Sequence, residues 1–161
     1  MVRLVPMTND EFDIFLEHEI REYAVERTEA GYWTEAEALE ESRKTHHTLL
    51  PDGLKTKDHC LYTIQEPERA ETVGVIWMQV TLDSPRPSGF ILDLEIVEPF
   101  RRKGYARQAM LQLEAVARGM GLQQLGLHVF AHNQGARALY ESLGYTVASL
   151  NMLKPLDGSS T

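Results

Sequence analysis

EPFRRKGYARQAM, residues 98–110, gathers Arg101, Arg102, Lys103 and Arg107 around one glycine and one alanine, in a chain of net charge -8. It follows SGFILDLEIV (88–97), which alternates with a period of two, and it opens a run in which Ala106, Ala109, Met110, Leu113, Val116 and Ala117 recur at helical steps. Strand, tight turn and helix is therefore the local reading. At such a junction the backbone N–H groups of the first helical turn have no intrahelical acceptor and converge on an anion. Gly104 can take backbone angles that other residues avoid, Ala106 stays small, and Arg102 and Lys103 add full charge to the positive end of the helix. A pyrophosphate cradle and a solvated turn both fit this fragment. Neither GxxxxGK[ST] nor GxGxxG occurs in the chain.

Working outward, Thr8 with Glu11 and Thr34 with Glu37 have capping-box spacing and predict two helix starts. The first helix carries an apolar stripe of Phe12, Phe15, Leu16, Ile20, Tyr23 and Ala24, and the second ends before LLPDG. GYW (31–33) between them reads as core plugs or as pocket lining. DHCLYTIQE, ETVGVIWMQVTL and SGFILDLEIV predict a three-stranded antiparallel meander; LQQLGLHVF predicts a further strand, NQGARALYESLG a helix, and YTVASLNMLKPL a last strand. The order β αα βββ α β α β describes one α/β (α+β) domain over residues 1–155, with a mostly antiparallel sheet of about six strands and about four helices. Residues 156–161 read as a frayed tail.

With 43% apolar and 25% charged residues, and no long apolar run, the composition is that of a soluble globular protein. No signal-like start is visible, so a cytoplasmic location is expected, with no membrane partner. Residues 1–70 hold 16 acidic against 8 basic side chains, whereas the remainder is balanced. Solvated helix faces or an acidic wall toward a cationic partner would each produce this excess, and a nucleic-acid partner is disfavoured. Cys60 reads as a small core residue. His46 with His47, and His128 with His132, lack convincing ligand geometry, so no metal is expected.

Asn133 and Tyr140 lie seven residues apart, so an amide and a phenol project from nearly the same side of the late helix. Taken alone they would be a helix cap and a core residue. Together, R-x-x-G-x-A at 101–106 and N-x-x-A-x-x-L-Y-x-x-x-G-Y at 133–145 resemble the GNAT superfamily of acyl-CoA-dependent N-acyltransferases, in particular its small single-domain bacterial members. The resemblance implies a GNAT-type fold over nearly the whole chain and acetyl-CoA as cosubstrate, with a small-molecule amine acceptor and the homodimers common in such proteins. It also implies that backbone groups of Arg102, Lys103, Gly104, Tyr105, Ala106 and Arg107 hold the pyrophosphate. Main-chain groups of Ile96 and Val97 would pair with pantetheine, Asn133 and Ala136 would line its arm, and Tyr140 would protonate the departing thiolate. Ala106 stands where glycine is also common in the family.

Attack on a thioester needs a neutral amine, and an alkylammonium of pKa about 10.4 is neutral in only about one molecule per thousand at physiological pH. A carboxylate or a water chain must take the proton. Strand alternation places Phe90, Leu92, Leu94 and Ile96 on one face and Asp93, Glu95 and Val97 on the other. Glu95 as base with Asp93 assisting is one reading; a solvated strand face is the other, and a bulge would change which residue faces inward. The Val97 N–H is an expected donor to the oxyanion. The acidic excess of the first helices favours a small cationic acceptor. The rival expectation is a non-catalytic acyl-CoA binding or sensing module, which keeps the cradle and Asn133 but needs no base.

Overall fold

The structure is a computed structural model and describes residues 1–159. The chain forms two compact units, Met1–His128 and Val129 onward. The first contains β1 (Arg3–Pro6), α1 (Asn9–Glu29), α2 (Glu35–Leu49), β2 (His59–Glu66), β3 (Glu71–Thr81), β4 (Ser88–Ile96), α3 (Tyr105–Gly119) and β5 (Gln124–Leu127); the second contains α4 (Gln134–Ser142). The result is a mixed α/β fold whose sheet runs β1-β2-β3-β4-β5, antiparallel except for the β4–β5 pair.

Both expected helix starts form. Thr8 Oγ1 accepts from the Glu11 N–H at 3.2 Å, and the Thr34 N–H donates to Glu37 Oε1 at 3.1 Å. The stripe of α1 buries Phe12, Phe15, Ile20 and Ala24. Phe12 and Phe15 join Met7, Leu50, Leu61 and Trp77 in one apolar cluster on that face of the sheet. Ile76 and Met78 alternate with Trp77 and so point to the opposite face. α3 contacts β1 and β4 and buries Ala109, Met110, Leu113 and Ala117.

Two expectations about strands are corrected. Trp77 pairs with Asp93 while Met78 pairs with Ile91, so β4 bulges at Leu92. Leu92 therefore packs against the α1-side cluster rather than lying opposite Asp93, and Phe90 is 43% exposed. The sixth strand is not formed: residues 145–156 carry no ladder, and the described sheet has five strands. There the alternation slips at Met152–Leu153, and Pro155 has no N–H to donate. Of the expected tail, Asp157 caps a bend by accepting from the Ser159 N–H at 2.9 Å, and Ser160 and Thr161 lie outside the described residues.

Candidate active site

Between β4 and α3 the chain takes left-handed angles twice, at Arg102 (φ 62°) and at Gly104 (φ 82°), the latter being the N-cap of α3. Gly104 can adopt this angle without strain, whereas Arg102 holds it at a cost of about 1 kcal/mol. Among the described residues, a side chain at 104 would meet nothing within 4 Å. The glycine is there for its angle, and the space above the helix start is open. Arg102 and Lys103 are exposed, and the Lys103 Nζ sits 5.7 Å from the Phe100 ring centroid. Left-handed turns beside a helix start aim successive N–H groups at one point, the geometry of an anion nest.

The preceding strand has an open side. β5 pairs only with Ser88–Ile91 of β4, so among the described residues no strand pairs with Leu92–Ile96 there. The Val97 N–H donates to the Val73 carbonyl at 2.9 Å and is committed to the sheet. Because main-chain groups alternate sides along a strand, the Ile96 N–H points away from β3, toward the open side. Arg101, the first residue of the R-x-x-G-x-A pattern, donates its Nε to the Ile96 carbonyl at 2.8 Å and ties the turn to the strand end. The Val97 N–H, expected to face the oxyanion, is thus committed to the sheet, and the N–H on the open side is that of Ile96.

Asp93 and Glu95 lie on the α1 side: Trp77, across from Asp93, packs edge-on against Phe15 at 5.9 Å. There they meet two residues that the sequence reading missed, His18 and Glu19. His18 Nε2 and Glu95 Oε2 are 2.8 Å apart, and Arg101 lies 3.9 Å from the other Glu95 oxygen. Glu19, Asp93 and Glu95 each present an oxygen, all within 4.8 Å of one another. Burial, then the charge of Asp93 and a carboxyl–carboxyl hydrogen bond with it, pushes Glu19 up to about 10; burial raises Asp93 as well. At neutral pH this pair keeps a proton. One signal was available: the helical line Phe12, Phe15, Glu19, Tyr23 runs a carboxyl through an apolar stripe.

In the second unit, Asn133 is the N-cap of α4, and its Oδ1 accepts from the Ala136 N–H at 3.3 Å. Tyr140, within α4, has its ring 5.9 Å from that of Tyr145. Neither aromatic at 32–33 plugs the core, and Tyr32 is 65% exposed. Trp33 meets Tyr23 edge-on at 5.6 Å, and Tyr32 covers the Arg27 guanidinium at 3.9 Å. His46 is buried with Nδ1 2.9 Å from the Ser42 carbonyl, and burial raises the Cys60 thiol, which keeps it protonated. No helix among the described residues is long and apolar enough to cross a membrane.

The family model described as the acetyltransferase (GNAT) family matches residues 13–145. YycN of Bacillus subtilis (strain 168), named an uncharacterized N-acetyltransferase, is 40% identical over 155 residues, covering 96% of this chain and 99% of YycN. YdgE of the same organism, named in the same way, is 34% identical over 95% of this chain and 97% of its own. The crystal structure of YycN superposes with a TM-score of 0.88 over 97% of this chain and 99% of that one. A protein of known structure from Pyrococcus furiosus, 24% identical, shares the fold with a TM-score of 0.64 over 97% of this chain and 100% of that one.

Proposed function

The chain belongs to the acetyltransferase (GNAT) family, and from that premise we propose that it moves an acetyl group from acetyl-CoA to a primary amine by direct attack, with both substrates bound. The observation that carries this reading is the meeting of an open strand edge with a strained helix start: Leu92–Ile96 lacks a partner strand on the side where the left-handed turn of Arg102–Gly104 begins α3. The donor's extended pantetheine arm suits such an edge as an added strand, and its pyrophosphate suits the nest. Ile96 supplies the outward N–H. Val97, whose N–H is taken by Val73 and whose carbonyl accepts from the Phe100 N–H, contributes its position at the strand end, while Asn133 and Ala136 at the start of α4 and the phenol of Tyr140 complete the assignment. The family match runs through both units, which supports one catalytic domain over residues 1–155.

In this reading Glu95 takes the ammonium proton, held by His18 and Arg101 in a fixed orientation. The amine nitrogen bonds to the acyl carbon, the carbon–sulfur bond breaks, Tyr140 gives its proton to the sulfur, and the second proton shed by the acylated nitrogen restores the phenol through solvent. Asp93, Glu19 and the acidic excess of residues 1–70 favour a small cationic acceptor.

Calorimetry with acetyl-CoA tests the donor site. The wild-type chain should bind, and Gly104→Glu should weaken binding at least about 100-fold by placing a negative charge in the nest. Open space at 104 rules out crowding, and Gly104→Ala, which carries the same backbone cost at φ 82° without the charge, should bind acetyl-CoA far more tightly than Gly104→Glu. Equal affinity of the two proteins, or none in the wild type, would overturn the assignment.

A further inference from the structure

Three carboxyls from two distant parts of the chain converge here without a cation to balance all three. Their oxygens lie within 4.8 Å of one another, on a half-buried surface between α1 and β4. Asp93 Oδ2 is shut off from solvent, and among the described residues no amide, hydroxyl or ammonium donor reaches it. A buried acceptor in that state costs free energy until a donor arrives. These separations admit an ammonium, whose three tetrahedral N–H bonds of about 2.9 Å reach acceptor oxygens up to about 4.7 Å apart.

We infer that Glu19, Asp93 and Glu95 together form the binding site for the acceptor's ammonium, and that its arrival expels the proton shared by Glu19 and Asp93, which makes Glu19 a specificity-determining residue. The inference rests on the amine-acetylation reading and deepens it. Three carboxylates this close cannot all stay ionised without a cation, so the empty site holds a proton and the filled site does not. The raised Glu19 agrees with this. The charged and titratable groups facing the trio are Glu22 and His18 on α1, and Arg101 beyond β4. His18 and Arg101 both engage Glu95, so the proton is held on the Glu19–Asp93 side. The exchange favours cations over neutral amines: a neutral amine offers fewer donors and leaves the charge unbalanced.

Titration of spermidine into the full chain saturated with CoA, followed by calorimetry, decides the matter. Heats in phosphate and in Tris at pH 7.5 should differ by about one proton released per spermidine, and affinity should rise about tenfold per pH unit between pH 6.5 and 8.5. Glu19→Gln mimics the protonated acid, has no proton to lose, and should bind spermidine with heats independent of buffer and affinity independent of pH. Identical heats in both buffers for the wild type, no spermidine binding, or micromolar binding of Mn²⁺ that excludes spermidine would each overturn the inference. CoA binding is recorded in the same titration series. CoA binding without spermidine binding removes the acid site and leaves the transferase reading, whereas proton-releasing spermidine binding without CoA binding does the reverse.

Discussion

The two halves of the candidate site are built in opposite ways. The proposed donor half is contiguous: Arg101 to Ala106 lie in one turn and helix start whose backbone is left-handed at Arg102 and Gly104. The acceptor half is assembled from side chains: Glu19 lies on α1, Asp93 and Glu95 on β4, and a bulge at Leu92 turns Asp93 toward the helix. A site made of backbone tolerates changes in side chains, and a site made of side chains does not.

The largest effect should therefore follow the smallest change in the acceptor half. Glu95→Gln keeps size and hydrogen bonding but removes the carboxylate proposed as base, which His18 and Arg101 contact. It should lower kcat/KM for a cationic amine about 10²–10³-fold while leaving acetyl-CoA affinity within a few-fold. A pH–rate profile that keeps its acidic limb in the variant would assign the proton transfer elsewhere and dissolve the contrast.

The next effect is on stability. Glu19 has a folded pKa of about 10 against an ordinary value of 4.5, so the folded chain holds a proton that the unfolded chain releases. Stability from this group is complete below pH 4.5 and is lost as pH rises toward 10. Gln at 19 has nothing to titrate. Glu19→Gln should gain on the wild type as pH rises from 6 to 9, reaching about 1–3 kcal/mol, or roughly 3–9 °C in Tm, near pH 8. Melting curves that stay parallel across that range would show that the trio keeps no proton.

The same contrast explains what could be read in advance. The donor half was legible because its residues are neighbours, and a strand, Gly104 and a helix occur in sequence order. Asp93 and Glu95 were found because they share a strand. Glu19 and His18 were not: their contact with β4 spans more than 70 positions and depends on how α1 crosses the sheet. The bulge at Leu92 has no composition signal either, since nothing in ILDLE marks an extra residue. Local period fixed five strands and the four α-helices of the described residues. It failed over residues 145–156, where whether an apolar stretch becomes a strand depends on a partner edge rather than on its own pattern.

The smallest effect should come from the residues that first draw the eye. Arg102 and Lys103 are exposed and lie in water of high dielectric, where a single charge is worth little. If the nest is made of N–H groups, Arg102→Ala with Lys103→Ala should raise KM for acetyl-CoA only about two- to fivefold and leave kcat unchanged. The residual difference should vanish as salt is raised toward 1 M, where the Debye length falls to about 3 Å. Ala tolerates the left-handed angle at 102 no better than Arg does, so the backbone is not relieved by the change. A loss of 100-fold that salt does not abolish would mean that the side chains grip the phosphates directly, and the donor half would then be built in the same manner as the acceptor half.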